Sequence, residues 1–88
     1  MAEIPAVQNP VTEYARRNGW LARRMSYIGR HGCPDTWFAK AGRVIVVEFK
    51  DRGKPLQLHQ EREIKRLRKA GLTVHVIDNA EAGYALFE

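Results

Sequence analysis

Cysteine, long apolar runs and acidic side chains are all scarce in this chain of 88 residues. The single cysteine, Cys33, excludes an intramolecular disulfide and suits a reducing cytoplasm. The longest apolar run, residues 44–47, is far too short to span a bilayer. Residues 1–8 have neither the basic segment nor the apolar core of a signal peptide. We therefore expect one cytoplasmic domain, residues 1–88, with no membrane partner.

Basic side chains outnumber acidic ones by 15 to 10, which gives a formal net charge of +5. They crowd the chain between residues 16 and 69, while Glu81 and Glu88 lie near its end. A domain with this balance suits a polyanionic partner, so the charge favours nucleic acid over an ordinary basic surface.

The apolar periodicity predicts an α/β fold with a mixed sheet flanked by helices. The third strand candidate is the clearest, because its β-branched residues lie on both faces and indicate a central, doubly covered strand. The helix that follows is a crossover, which makes the next strand parallel to it. The predicted elements are a helix from Asn9-Pro10 to Arg17, strands 20–27, 36–39 and 44–50, a helix 56–70, a strand 72–77 and a helix 80–87.

Two charged side chains end the third strand on one face. By the period of two, Glu48 and Lys50 point the same way, about 7 Å apart, while Phe49 points to the opposite face. Such a pair alone is also typical of a strand that simply leaves the core and turns polar.

Asp35 gives this pair a partner. It follows the rigid Pro34, and a hairpin between residues 36 and 47 brings it beside Glu48 and Lys50. Carboxylate oxygens are hard ligands suited to Mg²⁺ or Mn²⁺, so Asp35, Glu48 and the Phe49 backbone carbonyl form a candidate metal site. Lys50 would position a water molecule or stabilise the transition state. The alternative role for Asp35 is capping a turn.

Two further side chains are candidates for the same site. Gln60 lies at i, i+4 and i+7 with Ile64 and Leu67, so its amide faces inward and needs polar partners there. Its alternative is a boundary position bonded to backbone. Glu13, on the first helix, could reach the metal through water, although a surface position is the simpler interpretation.

Gly32-Cys33-Pro34-Asp35, Glu48-Phe49-Lys50 and Gln60 together resemble the PD-(D/E)xK nuclease superfamily, and more narrowly the VRR-NUC family of virus-type replication-repair nucleases. The resemblance spans about residues 13–77, with Glu13 at the position of the family's first-helix glutamate. It implies a restriction-endonuclease-like αβββαβ core that cleaves DNA phosphodiester bonds with Mg²⁺ or Mn²⁺. The implied catalytic residues are Asp35, Glu48, Lys50 and Gln60.

Small members of that family are phage-type proteins similar to junction resolvases, and larger relatives carry the domain in DNA-repair nucleases. The resemblance thus implies a homodimer that acts on branched DNA in a bacterial or phage-infected cell, without a small-molecule cofactor. Apolar groups such as Trp20, Trp37 and Phe87 are candidates for the dimer interface. The predicted DNA-binding residues are Arg16, Arg17, Arg23, Arg24, Arg30, Arg52, Lys54 and Arg62.

Two alternatives to a DNA endonuclease remain open on the sequence. One is a catalytically weak or inert DNA-binding accessory protein on a nuclease fold. The other is an RNA-cleaving relative. Zinc is not expected, because His31 and Cys33 have no second pair of ligands.

Overall fold

The computed structural model describes residues 6–29 and 32–88, and its order of helices and strands is the predicted one. Arg30, a predicted DNA-binding residue, and His31 lie outside the described residues. The elements are α1 (Gln8–Arg17), β1 (Leu21–Arg24), β2 (Thr36–Lys40), β3 (Arg43–Phe49), α2 (Leu58–Lys69), β4 (Thr73–Ile77) and α3 (Ala80–Ala85).

The strands form a mixed four-stranded sheet in the order β1-β2-β3-β4. The first three strands are antiparallel neighbours, and β4 is parallel to β3 because α2 crosses over between them. A two-residue turn joins β2 to β3, with Ala41 at φ 51° and Gly42 at φ 81°. Two successive left-handed residues fit the right-handed twist of a hairpin, which fixes Lys40 opposite Arg43.

Apolar side chains cover both faces of β3, as its composition predicts. Ile45 and Val47 pack with Val11 of α1 and with Phe38 in one buried cluster. Val46, from the opposite face, packs in a second cluster with residues of α2 and β4, against which Trp37 also lies. The alternation along β3 therefore places Glu48 on the α2 side of the sheet, in line with Val46.

The prediction that the first strand runs over residues 20–27 is wrong at its end, because β1 stops at Arg24. The last contact with the neighbouring strand is the bond from Met25 N to the Asp35 carbonyl, at 2.9 Å. Beyond this bond, Ser26 and Tyr27 lie outside the strand. The chain instead leaves the sheet, and the Tyr27 hydroxyl donates to Glu63 Oε2 of α2 at 2.6 Å.

Both long helices begin elsewhere than predicted. Helix α1 begins at Gln8, so Pro10 lies within its first turn, where a missing N–H costs nothing. Helix α2 begins at Leu58, two residues late, because Gln57 is extended and its backbone N–H donates to the Gln60 side chain, as in the second half of a capping box. Of the helices within residues 6–29 and 32–88, none has the length and apolar character needed to cross a membrane.

The outer edge of β4 carries a side-chain donor from α2. Lys50 N donates to the Ile77 carbonyl on the β3 side at 2.8 Å. Backbone groups alternate sides along a strand, so the Val74 carbonyl, three residues earlier, points outward. The Arg68 guanidinium donates to that carbonyl through Nη2 at 2.8 Å and Nε at 3.3 Å.

Candidate active site

Asp35 lies at the start of β2, opposite the end of β3. The register pairs Thr36 with Val47, so the preceding residue, Asp35, falls opposite Glu48. Its backbone carbonyl accepts from Met25 N, and its side-chain Oδ2 accepts from Phe49 N at 2.9 Å. One carboxylate oxygen is thus fixed by the β3 backbone, which leaves Oδ1 for a ligand.

Glu48 lies on the α2 side of the sheet and is only 3% exposed. Its Oε2 accepts from Gln60 Nε2 at 2.9 Å and lies 3.9 Å from the Lys50 ammonium. The predicted juxtaposition of two carboxylates, a lysine and an inward glutamine is therefore present at one end of β2 and β3. The Lys50 contact is long, so this lysine remains able to turn toward a ligand.

The Gln60 amide is oriented by the first turn of α2. Its Oε1 accepts from the backbone N–H of Gln57 at 2.9 Å, which leaves the NH₂ group for Glu48. A bond to a backbone donor settles which end of the amide faces the carboxylate. The start of α2 thus positions the side chain that holds Glu48.

Burial raises the pKa of both carboxyl groups. For Glu48, desolvation and then the nearby Asp35 charge raise the pKa from 4.5 to about 7, against the opposing effect of Lys50. For Asp35, desolvation raises the pKa, while the Phe49 N–H and the Arg24 charge lower it. A nearby cation would favour the ionised form of each.

We expect stability to fall as pH rises from about 4.5 to about 7, because Glu48 keeps its proton longer in the folded state. The shift in its pKa corresponds to at most about 3 kcal/mol of unfolding free energy. Metal-free thermal or urea unfolding at pH 5.5 and 8.5 measures the part of this loss that occurs above pH 5.5. Glu48→Gln should lack the part of the pH dependence that comes from Glu48. The difference between the two proteins therefore isolates this part from the effect of other titrating groups. Equal pH dependence of the two proteins would contradict the prediction.

A pocket of about 550 Å³ opens beside Asp35. Phe49 and Lys50 line it together with basic and helix-terminal residues, whereas Glu48 is not among the lining residues. The N–H and C=O of one strand residue point to the same side, so the Phe49 carbonyl shares the side on which its N–H meets Asp35. The remaining lining residues are Val7, Gln8, Arg24, Asp51, Lys54, Pro55, Leu56 and Gln57.

The first helix places Gln8, rather than Glu13, in this pocket. The Glu13 carboxylate pairs with Arg17 at 3.7 Å, and its side chain is 56% exposed. Gln8 shares the buried face of α1 with Val11 and Ala15, at i, i+3 and i+7. The spacing of these three residues is visible in the sequence and would place Gln8 on the inward face of the helix. Because the helix was predicted to begin at Asn9-Pro10, Gln8 fell outside it.

The predicted DNA-binding residues divide between the pocket and other surfaces. Arg24 and Lys54 line the pocket, and Arg16 borders a neighbouring one with Arg24. Arg17 is paired with Glu13, and Arg23 donates to the Ala22 carbonyl of its own strand. Arg52 and Arg62 are exposed.

The donor atoms at this site suit a hard divalent cation. Within residues 6–29 and 32–88, no group of three or more His, Cys, Asp or Glu side chains is close enough to hold a metal. Asp35 and Glu48 would therefore need neutral oxygens, of which the Phe49 carbonyl is one. Two desolvated carboxylates with raised pKa values fit such an ion, since its charge would offset their burial.

Comparison of the sequence with protein-family models and with curated proteins found no match. A solved structure described as a VRR_NUC domain is similar to this chain, with 35% sequence identity and a TM-score of 0.77. The match covers 92% of this chain and 95% of that one. The two chains are therefore similar over nearly their whole lengths.

Proposed function

Since the chain belongs to the VRR-NUC family of PD-(D/E)xK-type nucleases, we propose that it is a divalent-metal-dependent endonuclease selective for branched DNA. The observation that carries the proposal is the pairing of Asp35 with Glu48, flanked by Lys50 and Gln60. The pocket beside Asp35 carries Arg24 and Lys54, which suit contacts with backbone phosphates, and such contacts carry no sequence information; this favours selectivity for DNA structure over selectivity for sequence.

Asp35, Glu48 and the Phe49 carbonyl are the groups that would hold Mg²⁺ or Mn²⁺. When bound, such an ion lowers the pKa of water and neutralises charge that develops on the phosphate. Gln60 keeps Glu48 Oε2 in place through its own bond to the α2 backbone. Lys50 lines the pocket and supplies a positive charge that would orient water or stabilise the pentavalent phosphorus.

Arg24 and Lys54 extend the positive charge from the site along the pocket. We assign to them contacts with the phosphates of the DNA backbone. Such contacts fix the position of a protein on DNA without reading the base sequence. Binding through phosphates weakens steeply as salt rises. Arg16 lies close enough to Arg24 to continue this track.

A homodimer is part of the proposal, but its apolar surface differs from the one expected. Trp20 and Phe87 are 6% and 2% exposed and pack edge to face in the core. The exposed candidates are Leu21, Met25 and Val44, which line a shallow apolar hollow of about 210 Å³. Cys33 is a free thiol, in keeping with the bacterial or phage-infected cytoplasm that we propose as the setting.

We expect cleavage of flap and four-way-junction DNA only when Mg²⁺ or Mn²⁺ is supplied. A panel of single-stranded, duplex, flap and junction DNA, with matched RNA and with EDTA, measures this, while sedimentation gives the mass. Binding without cleavage under every metal would favour an accessory protein, and cutting of RNA alone would favour an RNA enzyme. A monomeric mass at micromolar concentration would exclude the dimer.

A further inference from the structure

Ile28 is the most exposed large apolar side chain in the part of the chain that the structure describes. It is exposed to 102%, whereas Leu58, the next in order, is exposed to 60%. Ile28 lies on the loop that joins β1 to β2, shortly before Asp35. An isoleucine in this position contributes no buried area to the fold, so the fold itself does not account for it.

The loop that carries Ile28 is anchored on both sides of this residue. Met25 N donates to the Asp35 carbonyl at 2.9 Å, which ties the start of the loop to the candidate active site. The Tyr27 hydroxyl donates at 2.6 Å to Glu63 of α2, whose side chain is buried. The latter bond needs only an acceptor oxygen at position 63, which glutamine also offers. Ile28 is thus presented to solvent from a backbone that is held against the sheet and the helix.

Basic side chains lie on both sides of this loop and suit a polyanion. Arg24 ends β1 and lines the pocket beside Asp35. Arg66, with a side chain that is 59% exposed, lines a cleft of about 580 Å³ between Ile28 and α2. Arg66 follows Gln60 on α2 at about 9 Å along the helix axis. That distance equals about three steps of a DNA duplex, so DNA held at the active site spans it within a few nucleotides.

We propose that Ile28 is a wedge that inserts between bases at the branch point of a DNA substrate. The inference rests on the proposed function and names a residue that supplies its selectivity for DNA structure. Apolar side chains such as isoleucine separate base steps in DNA that proteins kink. Unstacking costs free energy, and the cost is smallest where base pairing is already interrupted. Insertion of Ile28 therefore favours a flap or junction, whereas the contacts of Arg24 and Lys54 with phosphates are available on any DNA.

Binding of flap DNA in EDTA tests the wedge without cleavage. 2-Aminopurine at the branch point reports insertion, because this base fluoresces more strongly when it is unstacked. The parent chain should raise its fluorescence at saturation, and Ile28→Ser should lose most of that rise. Ile28→Ser should also bind the flap about tenfold more weakly, since the isoleucine no longer leaves water on binding. Its affinity for plain duplex should stay within about twofold of the parent, because the phosphate contacts remain. Ile28→Leu keeps an apolar wedge and should retain both the affinity and the rise.

Leu58→Ser is the matched control, because it removes the next most exposed apolar side chain and should leave flap binding at the parent level. An unchanged fluorescence rise in Ile28→Ser, an equal loss in Leu58→Ser, or a parent that binds flap no better than duplex would overturn the wedge. A lower mass of Ile28→Ser in sedimentation would also overturn it and assign Ile28 to contact between two copies of the chain. Failure of the proposed function gives a different pattern, in which Ile28→Ser loses flap binding as expected but the parent cuts no DNA with Mg²⁺ or Mn²⁺.

Discussion

Replacing Glu48 with glutamine is expected to lower the rate of DNA cleavage about a thousandfold or more, through loss of several kcal/mol of transition-state stabilisation. The amide has the length of the carboxylate and can still accept the bond from Gln60 Nε2, which spans 2.9 Å in the parent. It lacks the anionic charge that would hold the cation. Asp35→Asn should have a similar effect for the same reason.

The protein should remain folded in this variant, because the substitution removes a buried charge rather than a packing group. Glu63→Gln is the matched control, since Glu63 is also a buried carboxylate, 7% exposed, but it contacts Tyr27 instead of the site. Single-turnover cleavage of a branched substrate with Mg²⁺, beside a melting curve for each protein, gives the comparison. Cutting by Glu48→Gln at the parent rate would refute the assignment of the site.

Gly32→Ala is expected to destabilise the fold by roughly 2–5 kcal/mol and to lower cleavage sharply. Gly32 has φ +92°, and a Cβ there would lie 2.8 Å from the His59 carbonyl oxygen and 3.2 Å from Glu63 Cβ. Both contacts belong to α2, so the loop would have to lift from the helix. Asp35 follows on this loop, and Gln60 is next to His59, so the two sides of the site would separate.

Gly29→Ala controls for backbone conformation in the same loop. Gly29 also has positive φ, at +70°, but a Cβ there would meet no atom of residues 6–29 and 32–88 within 4 Å. The unfolding free energy of this variant should fall only by the cost of placing alanine in the left-handed conformation, about 1–2 kcal/mol. Urea unfolding of the two variants compares them directly. Equal losses would show that close contact between Gly32 and α2 adds nothing to stability.

The central part of the site follows from local sequence rules. The alternation along β3 predicts that Glu48 faces α2, and the short turn at Ala41-Gly42 sets the register that brings Asp35 opposite it. The i, i+4 spacing of Gln60 and Ile64 predicts that the amide points inward, where it does meet Glu48. Each inference uses neighbours within one hairpin or one helix face.

The parts that were missed depend on contacts between distant segments. Gln8 was not considered as a site residue, because sequence alone does not show which turn of α1 reaches the pocket that Asp35 and Phe49 line. The early end of β1 accompanies the hydrogen bond from the Tyr27 hydroxyl to Glu63, a partner on α2 that lies 36 residues further along the chain. Only the assembled sheet shows that Trp20 and Phe87 fill the core and do not form a surface.

Arg68 has a consequence for self-association of this protein. An exposed strand edge is a template for pairing with another chain, and β4 is such an edge, with Val76 36% exposed. The outward Val74 carbonyl is engaged by two donors of the Arg68 guanidinium. A second copy that added a strand along β4 would first have to displace a charged side chain. Growth of one continuous sheet through many molecules, the route to fibrils, is therefore opposed at this edge.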